Sequence, residues 1–294
     1  MKKAIVLLNG KAGNNYGKRN AFRILEEIYA EGYEALVIPS GPDSGIDTEE
    51  IIREHREWFD CCIVVGGDGT LHHAVNSLLR NNCTQPVLYL PCGTTNDFAK
   101  SLGIPTDSFA RADRMTLDAG VFNEEYFTYV AAFGALTDVS YSTNQDIKNV
   151  LGYTAYALSS LQAIPSGLET RIHAQIESKE YSGSGEFLYA SISNCYSVAG
   201  VRTPILKDAK LDDGKLEVVL IKAPENITEI IDIAGTLVSG DIQSENNRHV
   251  VLFQTSKVTF TFDEPVEWTL DGDFGGCVNQ AVIGVKRKRI QLLV

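Results

Sequence analysis

The sequence predicts an α/β protein, with an N-terminal domain built on a parallel sheet and a β-rich, sandwich-like C-terminal domain. Three observations carry this. Short apolar runs alternate with helix-periodic segments through the first third of the chain. Beyond about residue 122 the period falls to two, as in Val258-Thr259-Phe260-Thr261-Phe262. The 294 residues are too many for one ordinary domain and suit two, so a boundary is expected between 1–121 and 122–283.

Ala4–Leu8 is apolar throughout, as in a strand covered on both faces. Phe22, Leu25, Ile28 and Tyr29 then recur at helical spacing. Ala35–Ile38 reads as a second strand, and Thr48–Phe59 as a helix capped by Asp47 or Thr48. Cys61–Val65 is a third strand, followed by a helix marked by Leu71, Ala74, Val75, Leu78 and Leu79. Val87–Leu90 is a fourth, ended by Pro91. Such alternation implies parallel strands joined by right-handed crossovers. In the second domain Phe187–Ser193, Leu216–Ile221 and Val250–Gln254 read as strands. Two helices interrupt them, one on Val150, Leu151, Leu158, Leu161 and Ile164, the other on Ile227, Ile230, Ile231, Ala234, Leu237 and Val238. With no long linker between them, the domains are expected to meet over a cleft.

Composition excludes several classes. At 44% hydrophobic and 22% charged the chain can bury a sizeable core. A net charge of −12 repels phosphate backbones, so nucleic acid is not expected as a partner. The exception is Lys286-Arg287-Lys288-Arg289, ordinarily a solvated strand and alternatively a patch for anionic lipid headgroups. The six cysteines form no CxxC pair and read as free thiols in a reducing cytosol. The apolar run after Met1-Lys2-Lys3 stops at Asn9, too short for a secretion signal, and no stretch is long enough to span a bilayer. A cytoplasmic protein follows, and a homodimer is left open.

The chemistry lies in three loops. Gly66-Gly67-Asp68-Gly69-Thr70 separates a strand from a helix, where ligands of open parallel sheets bind. Its glycines admit phosphate oxygens to the backbone, and the helix start offers unpaired N–H groups. Asp68 would repel phosphates unless a cation intervened, which makes it a candidate Mg²⁺ partner, directly or through water. Pro91-Cys92-Gly93-Thr94-Thr95-Asn96-Asp97-Phe98-Ala99-Lys100 follows the next strand in the same topological position, and Asn9-Gly10-Lys11-Ala12-Gly13 follows the first. Together they make a nucleotide-phosphate cradle; neither the Walker pattern nor GxGxxG is present. Adjacent His72 and His73 point different ways on their helix and are not expected to share a metal. Trp58 and Trp268 read as core or interface aromatics.

GGDGT at 66–70 together with GTTNDFA at 93–99 resembles the diacylglycerol kinase catalytic domain, a superfamily that includes bacterial lipid kinases, sphingosine kinases and ceramide kinases. GGDGT alone also occurs in NAD kinases and resembles a phosphofructokinase loop; the combination is the specific signal. The resemblance runs over nearly the whole chain, through Asp118–Gly134, Ala209–Gly214 and Leu270-Asp271-Gly272-Asp273. It implies a phosphofructokinase/NAD-kinase-like nucleotide domain to which residues 284–294 return, and a lipid hydroxyl as acceptor at a membrane surface, such as the inner membrane face. The implied cofactors are ATP and Mg²⁺. Asn9, Gly10, Lys11, Ala12 and Gly13, Gly66 through His73 (Gly67, Asp68, Gly69, Thr70, Leu71 and His72 included), Thr94, Thr95 and Asn96 would contact ATP, with Ser40 a weaker candidate. The Asp213 carboxylate would hold Mg²⁺ with the carbonyls of Lys210 and Lys215, and Asp68 would join through water. Asp273 would be the general base, where the family usually has glutamate. An NAD kinase and a catalytically weak nucleotide- or lipid-binding regulator are the rival readings.

Overall fold

The computed structural model describes residues 1–41, 44–94, 96–105, 113–135, 171–198, 201–202, 206, 209–243 and 247–294. The chain divides into unit 1, Met1–Ala119 with Lys286–Val294, and unit 2, Gly120–Val285.

Unit 1 runs β1 (Lys2–Leu8), α1 (Ala12–Arg19), α2 (Ala21–Ala30), β2 (Tyr33–Pro39), α3 (Thr48–His55), β3 (Cys61–Gly66), α4 (Asp68–Arg80), β4 (Val87–Pro91) and α5 (Asp97–Leu102). β1 pairs in parallel with β2 and β3, and β3 in parallel with β4. One face of this sheet places Ala4, Val6, Cys61, Ile63, Val65, Leu88 and Leu90 against Ile24 and Ile28 of α2. The alternate residues Ile5, Leu7, Cys62, Val64 and Tyr89 are equally buried, which is why these strands read as unbroken apolar runs.

Of the expected stripe on α2 Ile28 packs, with Ile24, while Phe22 and Tyr29 are 87% and 69% exposed. At 3.6 residues per turn the Ile24/Ile28 pair is centred roughly 130° around the helix from Phe22 and Tyr29. Ile28 is thus at the edge of the expected stripe and in the one the sheet covers. The helix expected over Thr48–Phe59 ends at His55, where Trp58 N donates to His55 O at 2.7 Å and closes a turn. Asp47 is its cap, accepting from Glu49 N at 2.9 Å and Glu50 N at 3.1 Å. Asp47→Ala is expected to cost about 1 kcal/mol in urea denaturation, leaving both amides to water.

Unit 2 contains the end of β5 (Arg114–Phe122), then β6 (Glu125–Phe127), β7 (Val130–Gly134), β8 (Ile172–Ser178), β9 (Ser182–Ser193), β10 (Ser197–Val198) and β11 (Val201–Arg202). It continues through β12 (Leu216–Lys222), α6 (Ile227–Ser239), β13 (Val250–Thr255), β14 (Lys257–Leu270) and the start of β15 (Asp273–Leu293). The helix expected around Val150–Ile164 lies outside the described residues. The strands are antiparallel, but they do not form two separate stacked sheets. β9 and β14 are long, and each pairs with β8 through its first half and with β7 through its second. β14 shifts register between Thr261 and Val266, around Pro265, which has no N–H for the ladder. The ring of strands encloses Phe122, Phe133, Phe187, Phe260, Phe262 and Trp268. Trp268 is 0% exposed, whereas Trp58 is half-buried beneath Lys3. After Val285 the chain re-enters unit 1, and Leu292 and Leu293 pair in parallel with Val87 and Leu88 of β4.

Candidate functional site

In unit 1 the ends of β1, β2, β3 and β4 are stitched together by their loops. Asn9 is the hub. Its Nδ2 donates to Thr70 Oγ1 at 2.9 Å, while its Oδ1 accepts from Lys11 N at 3.1 Å and Ala12 N at 3.2 Å. Its own N–H donates to Val65 O at 2.9 Å, and Ser40 N donates to Leu8 O at 3.0 Å. The loops after β3 and β4 touch backbone to backbone: a Cβ on Gly93 would lie 2.5 Å from Gly67 Cα and 2.8 Å from Asn96 Oδ1. Gly13, at φ +53°, faces Cys92 O so closely that no side chain fits.

Asn96 holds the β4 loop by accepting from Gly93 N at 2.8 Å and donating to Gly93 O at 3.0 Å, with its own backbone left-handed at φ 50°. Gly67 caps α4, so Asp68, Gly69 and Thr70 form its first turn. Asp68 Oδ1 accepts from Phe98 N at 3.3 Å, tying the start of α4 to α5. Of the expected nucleotide contacts, Asn9–Gly13, Gly66–Thr70 and Asn96 belong to this cluster of loops. Ser40 sits at its β2 edge with a buried Oγ that has no hydrogen-bond partner, and Thr94 is exposed. Thr95 lies outside the described residues. Leu71 is a core side chain and His72 is 5% exposed, packed beside Asn76, so only their backbones are open to a ligand role. His73 is exposed and meets His72 edge to face, on the other side of the helix surface. Burial pushes the thiols of Cys61 and Cys92 up to about 11, so both stay protonated and neither is a nucleophile. Of the six cysteines only Cys277 is exposed.

In unit 2 the DGD turn joins β14 to β15. Leu270 pairs with Asp273 across a two-residue hairpin whose central residues, Asp271 and Gly272, have φ of 51° and 93°. Positive φ at both is the type I′ signature that Asp-Gly favours. Asp271 is 4% exposed, and its carboxylate takes four hydrogen bonds. Thr128 N and Thr128 Oγ1 donate to Oδ2, both at 2.7 Å; Tyr129 N and Val130 N donate to Oδ1 at 2.9 and 3.1 Å. The turn-forming duty thus falls on Asp271, which leaves the half-buried side chain of Asp273 outside the turn itself.

The Leu211–Gly214 turn carries the expected metal residues. Asp213 Oδ1 accepts from Lys215 N at 3.0 Å, and the side chains of Lys210 and Lys215 are exposed, so only their carbonyls could face an ion held by Asp213. Asn194 links this turn to the DGD turn: its Nδ2 donates to Leu211 O at 3.2 Å and its N to Tyr129 O at 2.9 Å. Glu217, two residues beyond Lys215, is 2% exposed. Its Oε1 accepts from Gln254 Nε2 at 3.1 Å, and its Oε2 has no partner. Burial, aided by the Asp213 charge and opposed by the Gln254 bond, pushes this carboxyl up to about 7. Among the described residues no group of three or more His, Cys, Asp or Glu gathers into a metal site, so any cation here relies on carbonyl or hydroxyl oxygens as well.

Residues 3–120, which hold the whole cradle, match the family model of the diacylglycerol kinase catalytic domain. Over that segment the chain is similar to the diacylglycerol kinase catalytic domain. It is 28% identical to a diacylglycerol kinase of Bacillus subtilis, covering 98% of this chain and 95% of that one. A diacylglycerol kinase of Staphylococcus carnosus is also 28% identical, over 97% and 93%. A solved structure of a diacylglycerol kinase from Bacillus anthracis strain Sterne shares the fold with TM-score 0.73, at 18% identity, over 99% of this chain and 96% of that one. Another structure from that strain reaches TM-score 0.80 at 20% identity, with the same coverage.

Three residues take a role in these turns that the sequence reading did not assign to them. Asp271 was readable as the Asp of an Asp-Gly hairpin turn. Glu217 was readable as the only charge inside Leu216–Ile221, otherwise an apolar run. Asn194 carried no signal, because its partners are 65 residues upstream and 17 downstream by number, at Tyr129 and Leu211.

Proposed function

We propose that this chain is an ATP- and Mg²⁺-dependent lipid kinase that phosphorylates the hydroxyl of diacylglycerol or a similar lipid. The observation that carries the reading is the contact of Gly67 with Gly93, which brings two strand-to-helix loops together at the carboxyl ends of β3 and β4. Loops without side chains at this contact bring the N–H groups of two strand ends close together, which suits a polyphosphate, and the Asn9–Thr70 bond pins the third loop beside them. The family match covers these loops, and the names of the relatives point to diacylglycerol as acceptor.

Bound ATP and Mg²⁺ supply the phosphoryl group and neutralise its charge. The chain's part is to orient and to move a proton. Backbone N–H groups of the Asn9–Gly13 and Gly66–Thr70 loops hold phosphate oxygens without reorganising. Asp68, fixed at the start of α4 by Phe98 N, would join the cation through water. Asp213, Lys210 and Lys215 would hold Mg²⁺ through one carboxylate and two carbonyls. Asp273 would take the proton of the lipid hydroxyl. The lipid is met at a membrane surface, where the exposed Lys286, Arg287 and Lys288 face anionic headgroups. Among the described residues no helix is long and apolar enough to cross a membrane.

The test is a panel of acceptors with radiolabelled ATP: diacylglycerol, monoacylglycerol, phosphatidylglycerol, a sphingoid base and NAD. Label in a lipid, and none in NAD, supports the reading. Label in NAD alone makes the chain an NAD kinase, and nucleotide binding with no labelled acceptor makes it a regulator.

A further inference from the structure

Glu217 and Ser193 face each other across β12 and β9, and residues directly opposite in an antiparallel pair share one face of the sheet. Both are buried, at 2% and 0% exposed, and both carry an oxygen with no hydrogen-bond partner, Glu217 Oε2 and Ser193 Oγ. Gln254, opposite Glu217 on its other side, occupies only Oε1. Among the described residues no cationic side chain compensates the charge; the charged neighbour that Glu217 does have is Asp213, of like sign. A desolvated carboxylate with a vacant oxygen beside a second carboxylate is costly unless something positive completes it. Water would satisfy the vacant oxygen and leave the repulsion, and a proton, which burial favours on this carboxyl, would remove the charge only in the molecules that carry it. A hard dication satisfies both oxygens and cancels the charge.

We propose that Glu217 and Ser193 extend the divalent-cation site at the Asp213 turn, supplying a carboxylate and a hydroxyl oxygen to the ion. This rests on the reading of Asp213 as its ligand. Asn194, next to Ser193, bonds both Leu211 O and Tyr129 O, and Tyr129 N bonds Asp271, which ties the Leu211–Gly214 turn to the DGD turn.

The test measures Mn²⁺ binding by electron paramagnetic resonance, without nucleotide or lipid, beside melting in EDTA and in Mg²⁺. Glu217→Gln should weaken Mn²⁺ binding about tenfold or more, and Ser193→Ala severalfold. In EDTA, Glu217→Gln should melt at or above the wild type, because a buried charge is gone; in Mg²⁺ it should melt below it. Wild-type Mn²⁺ affinity in Glu217→Gln overturns the inference. So does a melting loss of equal size with and without metal, which would make Glu217 purely structural. A wild type that binds no Mn²⁺ overturns it as well. If Asp213→Ala loses the ion and Glu217→Gln keeps it, only the Glu217 assignment falls. A protein that binds Mn²⁺ through Glu217 but phosphorylates no lipid upholds the inference and refutes the kinase reading.

Discussion

Replacing Asp273 with asparagine is expected to lower kcat by about 10²–10⁴-fold, the usual worth of a positioned general base, with ATP affinity almost unchanged. Asp271→Asn in the same turn should do the opposite. It puts an NH₂ where donors now meet a carboxylate oxygen, and strands some of the four groups from Thr128, Tyr129 and Val130 in a buried site. The expected loss is about 3–5 kcal/mol in urea denaturation, given a cost of roughly 1–3 kcal/mol for each buried group left unsatisfied. The two aspartates thus separate kinetically and thermodynamically, although they are two residues apart. Asp273→Glu adds a further reading. A rise in activity would mean that the shorter arm limits the reaction. A fall would mean that the site is built around it. Wild-type turnover in Asp273→Asn would remove it as the base.

Gly93→Ala is expected to reduce kcat/KM for ATP by about 10²-fold or more, with the far-ultraviolet circular dichroism spectrum preserved. The added methyl would stand 2.5 Å from Gly67 Cα, which is backbone and cannot swing aside, and 2.8 Å from Asn96 Oδ1, which the bond from Gly93 N holds in place. The loops must therefore part, and a shift of about 1 Å in a positioning group costs about a hundredfold. Equal nucleotide affinity in wild type and variant would mean that the loop contact is not the cradle.

Much of unit 1 is legible from local chemistry. Cys61–Val65 and Val87–Leu90 are apolar because both faces of the sheet are covered, and Asp47 precedes a helix whose amides it caps. What escaped was decided by tertiary contact. Helix α1, with Asn14, Asn15 and Gly17, has poor intrinsic propensity, and its Gly17 is required because a Cβ there would meet Asn9 O at 2.6 Å. On α2 the sheet covers Ile24 and Ile28, so of the expected stripe Ile28 is buried and Phe22 and Tyr29 are not. In unit 2 the individual strands could be read, but their closure through β7, β8, β9 and β14 could not, because a long strand does not announce that its halves have different partners. The candidate site divides in the same way. Glycine loops at strand ends are visible as motifs, while the bonds that organise them, from Asn9 to Thr70 and from Asn194 to Leu211, join residues 61 and 17 apart.

The central claim is phosphoryl transfer from ATP to a lipid hydroxyl by this cradle. It is tested most directly by following the labelled γ-phosphoryl of ATP into diacylglycerol in mixed micelles, with the wild type beside Asp68→Asn. Asparagine keeps an oxygen for Phe98 N but loses the charge proposed to meet the cation, so the variant should fold normally and transfer nothing above background. Labelled phosphatidic acid is expected from the wild type alone. Folded wild-type protein that yields no labelled lipid with saturating ATP and Mg²⁺, or Asp68→Asn that yields as much as the wild type, would contradict it.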